Sequence, residues 1–423
     1  MEQREASKRN LAIMWFANFF IAGSMTMVMP FLSLYIDSLG DFSEGYVRTW
    51  SGWTFAITFV TAFIFSPIWG RLGDRHGRKP ILIMASTGLA ISLFLMGHVT
   101  SVAQLFILRF IMGVFTGFIP ISQALISTQT PKKVAGRVLG TLQTGSITGT
   151  LMGPLMGGML ADNFGFSTTF QLTSITVFLA GLLVLFGVKE FKLEENVENA
   201  TNLTRREVLQ FILKRPMLVS VIVMTMFIQI AHFAVQPILA LYVQELNGPA
   251  NIAFISGLAF SITGLGNLMM TRQWGRLGDK IGYEKILIGL LIAAAVVYLP
   301  GAFVNEVWQL VVVRFLLGVT LGGLMPLRMA YIRQAAPIAI QGEVIGYNTS
   351  LQFLGNVIGP VLGGVISGYY GIASVFIFTS IMLLLSGLSL LLFYMKEKNA
   401  EKLAHSAKSK PKQPRMNLIS DKR

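Results

Sequence analysis

Gly70-Arg-Leu-Gly-Asp-Arg-His-Gly-Arg-Lys79 returns 205 residues later as Gly275-Arg-Leu-Gly-Asp-Lys-Ile-Gly282. Three more pairs follow in the same order at offsets of 205 to 207. Met29-Pro-Phe-Leu-Ser-Leu-Tyr35 matches Gln236-Pro-Ile-Leu-Ala-Leu-Tyr242. Arg109, Gly113 and Gly117 match Arg314, Gly318 and Gly322. Gly149, Gly153, Pro154, Gly157 and Gly158 match Gly355, Gly359, Pro360, Gly363 and Gly364. Self-similarity at one long offset marks a duplicated module.

Outward from each copy of the charged turn the chain carries no charge. Residues 49–70 and 80–108 flank the first copy, and 246–271 and 286–305 flank the second, without Asp, Glu, Lys or Arg. A helix needs ~20 apolar residues to cross a bilayer. Twelve spans satisfy that length: 11–36, 49–70, 80–98, 102–124, 138–161, 168–188, 216–242, 252–274, 285–303, 307–328, 344–366 and 372–395. The last two are cut from one uncharged stretch at Gly368-Tyr-Tyr-Gly371. The 423 residues are 53% hydrophobic and 13% charged, about half the charge of a soluble protein. The expected fold is therefore an all-α integral membrane protein, with twelve transmembrane helices in two pseudo-symmetric six-helix bundles. Residues 1–188 and 216–395 form the bundles, 189–215 a polar tether with a surface helix near 204–214, and 396–423 a basic, unordered tail.

The net charge of +14 raises the question of nucleic acid. Its distribution answers otherwise. The termini, the middle tether and alternate turns hold 31 of 34 Lys and Arg residues, leaving Arg48, Arg109 and Arg314. Cationic loops stay in the cytoplasm, so both termini are expected there, in a bacterial cell membrane, with a weak attraction to lipid headgroups. With no Cys and four scattered His, at 76, 98, 232 and 405, no metal site is expected. No Walker A loop and no cluster of catalytic residues at one depth is present, so enzyme chemistry is not expected.

The charged turn reads in two compatible ways. Its glycines permit a tight bend, and its charges set topology and cap a helix, with Asp74 near the N-terminus of the third span. Alternatively Asp74, Arg75 and Arg78 make and break pairs as the halves move. The Gly149–Gly158 stretch also has two readings, close helix packing through small residues and a hinge at Pro154.

The duplicated pattern over residues 10–395 resembles the major facilitator superfamily. The Gly70–Lys79 turn is similar to its signature between spans two and three. Arg109 with its glycines resembles the fourth-span motif, Gly149–Gly158 the fifth-span motif of proton-exchanging exporters, and Met27–Pro30 a first-span motif of drug:proton antiporters. By eye the chain is similar to the bacterial twelve-span multidrug pumps of the fluoroquinolone-exporting type. The resemblance implies alternating access driven by a proton gradient, with no other cofactor and usually a monomer. It implies a gate clamp at Gly70, Asp74, Arg75 and Arg78, with Asp279 in the second half. It implies proton coupling through Arg109, and a hinge at Gly149, Gly153, Pro154, Gly157 and Gly158, repeated at Gly359 and Pro360. Tyr283 stands where the second half would carry a basic partner for Asp279, which puts that half's clamp in question.

Ionisable groups inside a membrane are costly and point to function. Arg109 and Arg314 are such groups; the alternative for each is a backbone partner or snorkelling. No carboxylate lies at a midplane position. Asp37, at the end of span one, is a candidate partner of Arg109 or a solvated loop carboxylate. His232 sits mid-span with Gln229 and Gln236 on one helical face. It either titrates near neutral pH and touches substrate or is a neutral His bonded to a neighbouring helix. Phe20, Met25, Met29, Phe118, Gln143, Phe227, Gln229, Phe233, Gln236, Met325 and Phe353 are the remaining candidate cavity residues, each with lipid contact or core packing as its plain alternative. Soft Met and Phe surface suits varied ligands.

The favoured function is export of lipophilic, amphipathic small molecules in exchange for protons. The alternative is a dedicated carrier for one metabolite, sugar or lipid.

Overall fold

The computed structural model of the chain describes residues 2–191, 205–248, 250–337 and 340–409. Lys192, Glu194, Glu195 and Glu198 of the expected tether and residues 410–423 of the tail lie outside the described residues.

The described residues are helical, with no strand among them. The first bundle comprises α1 (Glu2–Met27), α2 (Leu32–Ser38), α3 (Glu44–His76), α4 (Arg78–Met96), α5 (Val102–Val114), α6 (Phe118–Thr128), α7 (Lys132–Phe164) and α8 (Phe166–Gly187). A short helix, α9 (Arg205–Leu213), leads to the second bundle. That bundle comprises α10 (Pro216–Val235), α11 (Leu239–Asn247), α12 (Ile252–Ile281), α13 (Tyr283–Tyr298), α14 (Val307–Ala335), α15 (Gln341–Tyr370) and α16 (Ile372–Ser409).

Eleven helical segments are long and apolar enough to cross a membrane. The remaining span, α7, has the length, 33 residues, but glycines and threonines dilute its hydropathy. Three expected spans are broken. The first is interrupted between α1 and α2 at Pro30, and the fourth between α5 and α6 at Phe115–Gly117. The seventh passes through a 3-10 turn at Gln236–Ile238 containing Pro237. Proline removes a backbone donor, which explains the first and seventh breaks. Irregular backbone at membrane depth is tolerated where it is buried in protein or lines a cavity.

Four reversals are set by glycine. Gly77 and Gly282 have φ of 93° and 105°, and Gly165 and Gly371 have 81° and 82°. Positive φ of this kind is open to Gly at little cost, so each long helix ends there and the next begins. The four form two repeat-related pairs.

The repeat reaches side-chain hydrogen bonds. Trp69 Nε1 donates to Val114 O and Trp274 Nε1 to Val319 O (2.6 and 2.8 Å). Tyr35 Oη donates to Met96 O and Tyr242 Oη to Gly301 O (2.8 and 2.9 Å). These bonds satisfy buried polar atoms that would otherwise be stranded.

Two sequence expectations are corrected. Residues 396–409 continue α16 as helix rather than forming an unordered segment, since the run of good helix formers after Leu392 extends the last span. Arg328, the last residue of the expected span 307–328 and counted with the cytoplasmic cations that follow it, is 1% exposed and lies inside α14, because that helix runs unbroken to Ala335.

Candidate transport site

The helix termini define two ends of the molecule. α1 starts at the terminal end, so α3 starts at the far end and finishes at the terminal end, and α15 runs the opposite way. At the far end the halves meet backbone to backbone. A Cβ on Gly158 of α7 would collide with Ala253 O of α12, and one on Gly364 of α15 would lie 2.7 Å from Arg48 O of α3. These two contacts are repeat-related. Ser261 Oγ donates to Leu151 O (2.7 Å). Asp162 accepts from the backbone N–H groups of Ala253 and Phe254 (3.2 and 2.7 Å), so a carboxylate of one half caps a helix of the other. Arg48 pairs with Glu245 at 2.5 Å and with Glu44 at 2.8 Å, and donates to Ser367 O.

The terminal end is open. A Cβ on Gly70, Gly136, Gly140, Gly275, Gly342 or Gly346 would meet nothing within 4 Å. Below the seal, aromatic pairs cross between the halves, Phe59 with Phe233 at 4.9 Å and Phe63 with Phe353 at 5.9 Å between ring centres.

A cavity of about 300 Å³ lies beneath this seal. α1, α3, α5, α6 and α7 line it, and Phe353 of α15 closes it from the other half. Met29 and Thr116, both on its wall, fall at the breaks in spans one and four. Broken helices thus border the cavity, as the physics of buried irregular backbone requires.

Arg109 lines this cavity and is 5% exposed. Its Nη1 lies 3.7 Å from Met112 Sδ, and the guanidinium is 5.4 Å from the centre of the Phe55 ring. Its Nε has no partner. The repeat-related Arg314 is 5.7 Å from the Phe260 ring and donates from Nε to Ala259 O (3.2 Å).

The expected Asp37–Arg109 pair does not form. Asp37 lies in α2 at the far end, half-buried; burial, then the nearby Glu44 charge, raises its carboxyl above the ordinary 3.8. His232 accepts from Gln236 Nε2 (3.0 Å) and meets Phe233 edge-on. The bond comes from the 3-10 turn of its own span rather than from a neighbouring helix.

Of the twelve cavity candidates, Met25, Met29 and Phe353 line the cavity. Phe118 is 0% exposed and belongs to the core, because the break at Phe115–Gly117 turns α6 and points the ring inward. Phe227 lines a separate groove between α10 and α16. Gln229 is buried against Gly355. Gln236 is buried too, with its Oε1 unpartnered, and Phe233 reaches Phe59 above. Gln143 is exposed and accepts from Gln123 (2.6 Å), while Phe20 and Met325 are exposed. Sequence reasoning missed Phe55, Thr58, Phe59 and Met112. The spacing of Phe55 and Phe59 along α3 carried that signal, since residues four apart share a face.

The charged turn holds a local network. Arg78 pairs with Asp74 at 2.8 Å and donates to Ala124 O and Thr128 Oγ1. Arg75 is exposed. Asp74 lies in the last turn of α3, and the carboxylate that caps α4 is Glu190, which accepts from the N–H groups of Arg78 and Lys79 (2.7 and 3.0 Å). That corrects the expected cap: Asp74 precedes the Gly77 reversal and faces Arg78, leaving the N-terminus of α4 to Glu190. In the second half Tyr283 Oη donates to Asp279 (2.7 Å), so a neutral bond replaces the ion pair. The span-five glycines pack on α1, Gly149 at Phe19, Gly153 at Gly23 and Gly157 at Met27, while Pro154 O faces Gly257. Gly359 packs on Ile230 and Pro360 O on Gly52.

Comparison with known proteins places this geometry. A family model described as Major Facilitator Superfamily matches residues 14–272 and 234–422. An uncharacterised transporter of this type, YuxJ of Bacillus subtilis (strain 168), is 53% identical over 369 residues, covering 87% of this chain and 94% of that one. The multidrug resistance protein MdtG of Dickeya zeae (strain Ech586) is 40% identical over 395 residues, covering 93% and 96%. Among solved structures, a bacterial homologue of the human lysosomal transporter Spinster, inward-facing and unoccupied, aligns with TM-score 0.74 at 13% identity, covering 92% and 96%. The nucleoside transporter NupG aligns with TM-score 0.73 at 15% identity, covering 92% and 100%.

Proposed function

The chain belongs to the major facilitator superfamily, and on that premise we propose that it exports amphipathic small molecules from a bacterial cell in exchange for protons, by alternating access. One observation carries this reading. Two homologous bundles meet tightly at one end, stand apart at the other, and enclose a mostly apolar cavity walled by the first bundle and closed by Phe353 of the second. Given the basic loops, the open end faces the cytoplasm, and Met25, Met29 and Phe353 offer an amphipathic solute apolar surface in the cavity. Similarity to multidrug resistance proteins over nearly the whole chain supports export.

In this scheme the halves rock about the contacts that cross between them, at Gly158, Pro154 and Pro360, while Gly149, Gly153, Gly157 and Gly359 hold helices together within each half. The Asp74–Arg78 pair of the clamp is already made with the terminal end open, and the exposed Gly70, Arg75 and Asp279 are left to engage the other half when that end closes. Asp37 and His232 are the titrating groups, Arg314 is the fixed positive charge near His232, and Arg109 is a fixed positive charge on the cavity wall. Guanidinium does not deprotonate at working pH, so the arginines shape the field without carrying the proton.

Everted vesicles or proteoliposomes test this. Gradient-dependent uptake of several unrelated lipophilic compounds is expected. A response to one metabolite, sugar or lipid alone would instead establish a dedicated carrier.

A further inference from the structure

Three guanidiniums lie buried among the described residues, those of Arg109, Arg314 and Arg328. None forms an ion pair there, since the salt bridges found join Arg48 to Glu44 and Glu245 and Arg78 to Asp74. A buried charge is costly unless paired and hydrogen-bonded. Arg314 has Ala259 O at 3.2 Å, and Arg328 has Gln352 Oε1 at 3.4 Å. Arg109 has no oxygen acceptor among the described residues. Its contacts are a thioether sulfur and the face of a phenyl ring.

Arg109 is also the one of the three that lines the cavity. The cavity threonines do not compete with it as donors. Thr26 gives its hydrogen to Ala22 O or Gly23 O, Thr58 to Arg109 O, Thr116 to Gly113 O and Thr150 to Ser146 O. These four threonine hydroxyls are spent on backbone, Ser66 is the other hydroxyl on the wall, and Arg109 is the one cationic donor there. Its planar fork matches a carboxylate in two parallel bonds. Around it, Met25, Met29, Phe55, Phe59, Ile119 and Phe353 offer apolar surface for the rest of the molecule.

We propose that this cavity is a site for amphipathic organic anions, with a ligand carboxylate seated on Arg109 and its apolar body against the Met and Phe wall. The inference rests on the cavity being the substrate site of the exporter described above, and it names the substrate class. A carboxylate supplies the counter-charge the guanidinium lacks. A neutral isostere leaves that guanidinium without a counter-charge, which sites built around buried polar groups reject strongly.

The test is binding by the purified full chain in nanodiscs of zwitterionic lipid, read by fluorescence anisotropy. The two probes are 1-pyrenebutyrate and its neutral primary amide. The acid should bind about ten-fold tighter or more, equivalent to about 1.4 kcal/mol. Arg109→Met should remove that preference while still binding the amide, which also shows that the variant is folded. Arg109→Lys should keep part of the preference, and Arg328→Met, outside the cavity wall, should keep all of it. Equal affinities in the wild type would overturn the proposal without any variant, as would a preference that survives Arg109→Met. Gradient-driven transport distinguishes the two levels. An acid preference with no gradient-driven uptake leaves the site standing and removes the exporter reading. Gradient-driven uptake with no acid preference removes this site alone.

Discussion

Gly157 and Gly158 are neighbours in α7, yet replacing each with Ala should do different things. A methyl at Gly158 would overlap Ala253 O and crowd Phe254 Cα, both in the other half. The obstacle is backbone, so a rotamer change cannot relieve it. The contact exists only while the far end is closed. A methyl at Gly157 would overlap Met27 O, which belongs to the same half and stays there in any rigid-body motion. Overpacking costs about 1–3 kcal/mol. Applied to one state only, that shifts the balance between closed and open far ends by about 5- to 150-fold. Gly158→Ala should therefore favour the state with the far end open, and Gly157→Ala should lower stability without changing the balance. The chain has no Cys, so one introduced thiol reports cleanly. Gly140→Cys at the open terminal end, where a Cβ meets nothing within 4 Å, should label more slowly in the Gly158→Ala background. It should label at the parental rate with Gly157→Ala. Equal rates in both backgrounds would refute the assignment of Gly158 to the seal between halves.

Other outcomes follow from the same contacts. Glu245→Gln should loosen the far-end seal slightly, because the Arg48–Glu245 pair, open to solvent on its Glu245 side, is worth only about 1 kcal/mol; thiol labelling at the terminal end should show a larger effect at low salt than at high salt. Glu190→Gln removes a charged cap from two N–H groups of α4 and should lower thermal stability by about 1 kcal/mol, measured by scanning calorimetry. Asp37 has its folded pKa raised above 3.8, so its ionised form is the disfavoured one. Stability is unaffected below that value and falls as pH rises through the folded pKa. Asp37→Asn should then match the parent in acid and melt slightly higher at neutral pH, an effect kept small by solvent screening. His232→Gln should alter the pH dependence of transport, and an unchanged profile would remove His232 as a titrating group.

The duplication and the long uncharged runs were plain in the sequence because both are one-dimensional properties. Repeat offsets and a ~20-residue span length need no knowledge of neighbours. The breaks at Phe115–Gly117 and Gln236–Ile238 were not plain. Hydropathy continues across them, and Pro237 alone does not say whether a span bends or stops. Site residues were legible in part. Met25, Met29 and Phe353 were nominated by type and depth and do line the cavity. Phe118 and Phe227 were nominated on the same grounds and face elsewhere, since rotation about the helix axis depends on packing. Arg328 was misplaced because a cation near a predicted span end looks like a loop residue until the helix is seen to continue. Glu190 and Asp162 cap helices remote in sequence, a relation no local pattern encodes.

The central claim is that the two bundles tilt about the cavity so that its two ends open in turn. Distances between paired spin labels measure this directly, one pair across the terminal end at Gly140→Cys and Gly346→Cys, the other across the far end at Asn163→Cys and Tyr370→Cys. During turnover in proteoliposomes under a proton gradient, the terminal pair should shorten as the far pair lengthens. Two distances that change together, or that stay fixed while substrate moves, would contradict it.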